Sequence, residues 1–335
     1  LKINRIVALK LLVSALLFVA VAVPAVSFLS TMEHDVAGEI LKLLDTAQGY
    51  VWMTSYSLDH QGVVGRLNGL FLAGIEVKVM IDSASSARTI LSKPLFEVTV
   101  DSSSGLMHAK LLIIDGRTAV FGTGNFTQSG LLGDSNTFLV FNGCDHVQIL
   151  QEFVQAILEG GSVASKKTGN TTYVMTPSES GRQMLLENVL GARKEIRFLS
   201  YAFTDTELLA LLKYKSATGV SVRGVVDRWN EDYSPVAQYL QTGLQVRFPS
   251  DNLRIHDKTI VIDRKIVITG SANHSFNAWQ KNREVVAIIE SAELAEKYLA
   301  HFSYLWEVAD YDYTNGACTD QYDSRRFREE YSKGM

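Results

Sequence analysis

Cysteine is nearly missing from this chain of 335 residues: Cys144 and Cys318 stand far apart, without the Cys-x-x-Cys spacing of zinc or redox sites. They read as two unrelated thiols, with a single disulfide as the alternative. An excess of positive charge is missing too. Lys and Arg number 32 against 36 Asp and Glu, for a formal charge of −4, so no whole-molecule basic field gathers nucleic acid or anionic lipid. Any anion site has to be local. Metal-like spacing is absent among His34, His60, His146, His274 and His301, which read as surface or packing residues. What is present is apolar material: 47% of the residues are hydrophobic, enough for one large domain or two ordinary ones, and disorder is excluded as the default.

The most distinctive composition is at the N-terminal end, where Lys2, Arg5 and Lys10 precede an apolar run from Leu11 to Leu29. That pattern reads as a targeting segment. Ala25 and Ser27 have the spacing of a signal-peptidase site, while the length of the run approaches a membrane span, so cleaved signal and retained anchor stay open. Either would place the body of the chain outside the cytoplasm, secreted or tethered.

Beyond residue 33 the chain repeats itself. Ser55-Tyr56-Ser57-Leu58 recurs as Ser200-Tyr201-Ala202-Phe203, and Gly74-Ile75-Glu76-Val77-Lys78-Val79-Met80-Ile81-Asp82 recurs from Gly219 to Asp227, both at an offset of 145. His108, Lys110, Asp115, Gly122 and Asn125 recur as His256, Lys258, Asp263, Gly270 and Asn273 at an offset of 148. Each copy predicts a helix (Val36 to Gln48, Gly181 to Ala192), a short strand ending at the Ser-Tyr dipeptide, and a second helix ending at Gly74 or Gly219. A strand to Asp82 or Asp227 follows. Strand, helix and strand in that order imply a parallel crossover. The fold class is therefore α/β, a duplicated domain and not a solenoid. The expected boundaries are a leader over 1–30, a first half over 31–160, a Gly/Ser/Lys/Thr-rich linker over 161–170, a second half over 171–312 and a tail over 313–335.

Chemistry concentrates in His108-Ala-Lys110-Leu-Leu-Ile-Ile-Asp115-Gly116 and His256-Asp-Lys258-Thr-Ile-Val-Ile-Asp263-Arg264. Read as strands, each puts its His and Lys two apart and so on one face. Asp115-Gly116 then reads as a hairpin turn, and the returning strand opens into Gly122-Thr123-Gly124-Asn125 or Gly270-Ser271-Ala272-Asn273. Small residues there let N–H groups and the Asn amide approach an anion. A phosphodiester calls for such a set, because its phosphorus is shielded by negative oxygens and its departing alkoxide needs a proton. Two lysines and two asparagines would hold the oxygens, one imidazole would attack and the other would protonate. The histidines would then titrate as a coupled pair.

His-x-Lys-x4-Asp followed by Gly-x-x-Asn, present twice, resembles the signature of the phospholipase D superfamily, and the likeness covers residues of about 35 to 310. The resemblance implies two α/β sandwich halves with pseudo-two-fold symmetry, the active site at their interface, and a covalent phosphohistidine formed without metal or cofactor. It implies His108 as nucleophile, His256 as acid and then base, Lys110, Lys258, Asn125 and Asn273 as the phosphate clamp, and a supporting role for Asp115 and Asp263. A carboxylate usually follows the motif and orients its histidine. Glu284, 28 residues past His256, fits that place, but the first half has Asn136 at the same spacing from His108, with Asp134 two residues earlier. Asn136 is thus expected to orient His108 less strongly than Glu284 orients His256, which leaves open the reverse assignment, with the Glu284-backed histidine as nucleophile.

The expected function is hydrolysis of phospholipid head-group phosphodiesters at a membrane. A nuclease of the same superfamily is the alternative, and a cardiolipin-synthase-like transferase or an inactive scaffold is less favoured. No obligate protein partner is implied, and no oligomer is required. Trp229, Tyr233 and Trp279 stand near strand ends where substrate would enter and could stack a base or touch an acyl chain, with packing the plainer role. The cluster Arg325-Arg326-Phe327-Arg328, offset by Glu329 and Glu330, reads as a solvated tail.

Overall fold

The computed structural model describes residues 26–250 and 252–314. The first half runs β1 (Val26–Ser30), α1 (Val36–Leu44), β2 (Tyr50–Thr54), α2 (Gln61–Leu72), β3 (Glu76–Asp82), α3 (Ser86–Leu91), β4 (Glu97–Asp101), β5 (Leu111–Ile114), β6 (Thr118–Gly122), α4 (Gln128–Leu132), β7 (Thr137–Asn142) and α5 (Asp145–Leu158). The second runs β8 (Lys166–Thr168), β9 (Thr171–Met175), α6 (Glu179–Gly191), β10 (Glu195–Ser200), α7 (Thr206–Ala217), β11 (Ser221–Val226), α8 (Trp229–Tyr233), α9 (Ala237–Leu240), β12 (Gln245–Arg247), β13 (Lys258–Ile262), β14 (Ile266–Gly270), α10 (Phe276–Gln280), β15 (Val285–Glu290) and α11 (Ala292–Thr314).

Local chemistry sets these boundaries. Asp35 caps α1 by accepting from Gly38 N at 2.9 Å, and Asp205 caps α7 by accepting from Glu207 N and Leu208 N at 3.0 Å each. After α2 and α7 the chain turns at Gly74 and Gly219, whose φ of 86° and 95° a side chain would resist. The sheets have strand orders β1-β7-β6-β5-β2-β3-β4 and β12-β11-β10-β13-β14-β15-β9-β8. Three strands in each are parallel (β2, β3, β4 and β10, β11, β12), and the remaining pairings are antiparallel.

Two boundaries differ from the sequence reading. The last five residues of the expected leader form β1, whose Ser30 pairs with Thr137 of β7 as Met175 of β9 pairs with Val285 of β15. The sheet needs this strand to cover the free edge of β7, so the first half begins by Val26; residues 1–25 lie outside the described residues, as do Cys318 and the basic cluster near Arg325. The expected linker over 161–170 likewise contains β8, which forms a hairpin with β9 through the turn at Gly169. Among the described residues no helix is long and apolar enough to cross a membrane.

Alternation along the strands separates two layers of core. In β5, Leu112 and Ile114 pack with α1 and α2 on the outer face, whereas Leu111 and Ile113 face inward with α5 and residues of the second sheet such as Val261, Val285 and Ala287. The second half mirrors this, Ile260 and Ile262 facing α6 and α7 while Val261 faces inward. The inner faces of both sheets therefore share one core, closed by α5 and α11. Burial of that core fixes how the halves meet.

Candidate active site

Where the halves meet, each motif is entered by a bridge to the other half. His108 N donates to Arg283 O at 2.9 Å, and His256 N donates to Ser135 O at 3.0 Å. Asp82 at the end of β3 accepts from Met107 N, and Asp227 just past β11 accepts from Ile255 N, both at 2.8 Å. These carboxylates anchor the segments that deliver the histidines. His108 and Lys110 precede β5, and His256 precedes β13, so each motif histidine sits at the mouth of a strand and not within it.

Both histidines line one cavity of about 610 Å³, with Asn125, Asn273, Tyr56, Tyr201, Arg254 and Asp134 among its other walls. The Oδ1 atoms of Asn125 and Asn273 are buried without a hydrogen-bond partner. Tyr56 meets His108 edge-on with ring centroids 5.6 Å apart, and Tyr201 lies 4.8 Å from His256. The lysines expected to clamp phosphate are buried beside the histidines, Lys110 Nζ donating to His108 O and Lys258 Nζ to His256 O.

The orienting partners are crossed between the halves. Glu284, of the second half, accepts from His108 Nδ1 at 2.8 Å through Oε2 and is 3.0 Å away through Oε1. Asn136, of the first half, accepts from His256 Nδ1 through Oδ1 at 3.0 Å, its amide held the right way round by Nδ2 donating to Gly130 O at 3.1 Å. This corrects the expectation that each histidine is oriented by the residue 28 positions after it in its own half. Spacing along the chain repeats, but β7 and β15 carry their residues across the interface. Both Nδ1 atoms are thereby committed as donors, which leaves each Nε2 for the cavity.

Burial pushes His108 below the ordinary imidazole range, opposed by Glu284, while Glu284 itself is held low, against its burial, by His108 and Lys110. The pair is thus a neutral imidazole donating to a carboxylate. His256 lies well below the ordinary range because of burial and then the charges of Lys258, Lys110, His108 and Arg254. Burial also brings Lys258 down to about 7 and pushes Lys110 well below its ordinary value.

Asp115 and Asp263 do not line the cavity. Asp115 accepts from the backbone N–H groups of Gln48, Gly49 and Tyr50 at 2.7, 2.8 and 2.8 Å, and Asp263 from Arg193, Lys194 and Glu195 at 2.8, 2.7 and 2.9 Å. Each holds a helix-to-strand loop against the hairpin, a supporting position away from the histidines. Of the aromatics, Trp279 is core, whereas Trp229 extends a ladder from Tyr201 at 5.8 Å to Tyr233 at 5.4 Å. His274 is buried and bonded to Ser200 Oγ at 2.9 Å, a packing role. Sequence reasoning missed Tyr56 and Tyr201 as site residues, although the repeated Ser-Tyr dipeptide marked them. Among the described residues no group of three or more His, Cys, Asp or Glu is placed to hold a metal ion.

Comparison with known proteins fits this geometry. A family model described as "Cardiolipin synthase, PLD-like domain" matches residues 40–158 and 185–306. The chain is 34% identical over 138 residues to a mitochondrial cardiolipin hydrolase of Mus musculus, a match covering 40% of this chain and 61% of that protein. It is 33% identical over 143 residues to a phospholipase D of Rickettsia bellii, covering 42% of this chain and 71% of that one. The solved phosphatidylserine synthase of Haemophilus influenzae shares the fold, with a TM-score of 0.63 at 14% identity over 92% of this chain and 93% of that one.

Proposed function

The chain belongs to the phospholipase D superfamily, and from that membership and the geometry of its cleft we propose that it hydrolyses phosphodiesters through a phosphohistidine on His108, with phospholipid as substrate. The observation that carries the reading is the pair of Nε2 atoms turned into one cavity, one backed by a carboxylate and the other by an amide.

In this reading neutral His108 attacks through Nε2, and the P–Nε2 bond forms as the P–O bond to the leaving alcohol breaks. The ring becomes cationic at that moment. Glu284, already accepting from Nδ1–H, stabilises the charge, which makes His108 the better nucleophile of the two. His256 in its protonated form gives its Nε2 proton to the departing alkoxide. Asn136 offers no charge to hold that proton, so the imidazolium is a strong acid. The neutral His256 then takes a proton from water, whose oxygen attacks phosphorus and releases His108. Lys110 and Lys258 stand beside the histidines to meet the non-bridging oxygens, and the substrate's negative charge favours their protonated forms. Asn125 and Asn273 reach the same cavity.

Lipid is favoured by the rim. Ala87 and Arg88 of α3 line the cavity, and the next turn of this helix carries Ile90 at 64% and Leu91 at 80% exposure, with Leu95 at 55% beyond it. The wall beside His108 includes Leu106, whereas the corresponding residue beside His256 is Arg254. A retained diacylglycerol moiety would lie on the first side and the leaving head group on the second. The ladder Tyr201–Trp229–Tyr233, with Arg254 5.9 Å over Tyr201, favours the second reading, single-stranded nucleic acid stacked on aromatic rings. Tests with chelator present, on phospholipid vesicles and on single-stranded DNA, separate the two: lipid turnover without DNA cleavage supports the first reading, and the reverse excludes it.

A further inference from the structure

The two halves differ in where their carboxylates lie. Glu284 has Asn136 as its counterpart, and Asp257 has Ala109 as its counterpart. Both carboxylates belong to the second half, but Glu284 reaches His108 whereas Asp257 bonds the residues flanking Asn136 on the His256 side. Asp257 lies between His256 and Lys258 in sequence, and its side chain is fully buried between the halves. Its Oδ2 accepts from Ser135 Oγ at 2.5 Å and lies 3.1 Å from His301 Nε2, while its Oδ1 accepts from Thr137 Oγ1 at 3.0 Å. Ser135 and Thr137 flank Asn136 on either side. Ser135 O also accepts the backbone N–H of His256. On α11, fully buried His301 is held in turn by Ser30 Oγ of β1 at 3.0 Å from its Nδ1.

We propose that Asp257, braced by His301, is a positioning residue that does for the His256 side what Glu284 does for the His108 side. It grips the chain on both sides of Asn136 and sets a buried negative charge next to Lys258 in the chain, and it does so without touching His256 Nδ1. The division of labour follows from that displacement. Were the carboxylate at residue 136, both imidazoles would be backed alike, and neither would be distinguished as acid. With the charge moved to Asp257, His256 keeps a neutral partner and stays a strong acid, while Lys258 keeps a counter-charge. This inference rests on the phosphodiesterase reading for its catalytic consequence, but not for the electrostatic one.

The electrostatics agree. Burial pulls Lys258 down to about 7, and among the charges opposing that fall Asp257 stands first, ahead of Glu284, Asp134 and Asp227. Lys110, His256 and the ring of Tyr201 also face Lys258. Against its burial, Asp257 is held below the usual carboxylate range by His301, Ser135 and Thr137, and Tyr298 and Lys258 are the other ionisable groups that feel its charge. Removing the negative charge lowers the pH at which Lys258 loses its proton.

The test uses the full chain and a soluble chromogenic phosphodiester, with Asp257→Asn, Asn136→Asp and the double variant compared to wild type. In Asp257→Asn the alkaline limb of kcat/KM should move down by about one pH unit, a loss of about tenfold above it. The double variant should move the limb back up, because a carboxylate then stands where Asn136 Oδ1 now meets His256 Nδ1. A purely structural role would lower the melting temperature and leave the limb in place, and that result overturns the proposal, as does failure of the double variant to recover the limb. NMR of lysine labelled at Nζ gives a readout independent of turnover. Lys258 should titrate near neutrality in wild type and at lower pH in Asp257→Asn; equal titration in the two proteins overturns the proposal even if another substrate proves to be the right one. A chain inert on every diester whose Lys258 still shifts as stated would reject the phosphodiesterase reading and leave the placement of charge standing.

Discussion

At the scale of the residue, the site turns on what stands behind each imidazole. His108 has a carboxylate and His256 an amide, and one step of chemistry asks for each. Glu284→Gln keeps the volume and removes the charge that, in the proposed mechanism, meets the developing phosphohistidine. We expect kcat to fall by roughly 10²- to 10⁴-fold with KM little changed, measured on a soluble diester. His274 carries a different prediction, for stability. Burial lowers it to about 4, below the ordinary value near 6.5, so the unfolded chain binds the proton more readily between those values. Its contribution is fully present above pH 6.5 and is lost as pH falls through about 4, with an upper bound of about 3 kcal/mol. Denaturant unfolding of His274→Gln at pH 7 and pH 4 should show a smaller acid-induced loss than wild type. An equal loss in both proteins would remove His274 from the account.

At the scale of the element, the same motif serves two ends. His lines the cavity and Lys is buried beside it, but Asp115 and Asp263, at the far ends of β5 and β13, tie down loops through three backbone N–H groups each. Asp115→Ala or Asp263→Ala should cost about 1–3 kcal/mol of unfolding free energy, moderated by their partial exposure, while the folded fraction keeps wild-type pH limbs. The motif's spacing was legible in the sequence, yet spacing alone could not tell a strand's active end from its supporting end. Helix α3 gives the other test at this scale. Leu91→Glu on its exposed face should reduce turnover of vesicles by tenfold or more, in order-of-magnitude terms, and leave a soluble diester untouched. Equal loss on both substrates would mean that α3 shapes the cleft and does not meet a lipid surface.

At the scale of the whole molecule, the repeat read from the sequence appears as two sheets of matching order, and the paired histidines do share one cavity. Duplication was legible because Gly74 and Gly219, His108 and His256, and Asn125 and Asn273 fall at nearly constant offsets. The crossing of Glu284 and Asn136 was not. It depends on how the shared inner core sets one sheet against the other, a relation between halves that no offset along the chain encodes. For the same reason β1 was hidden in an apolar run: its pairing with β7 is set by a partner more than a hundred residues away. Asp257 went unread because its partners, Ser135, Thr137 and His301, come together only through the interface.

The most direct measurement of the central claim is to trap the covalent state. His256→Asn, mixed with a diester whose leaving group needs no proton, should form the phosphohistidine and lack the base that hydrolyses it, so peptide mass spectrometry after quenching should place the phosphoryl adduct on His108, with no adduct in His108→Asn. An adduct on His256 in the His108→Asn protein, or undiminished turnover by either variant, would contradict the account.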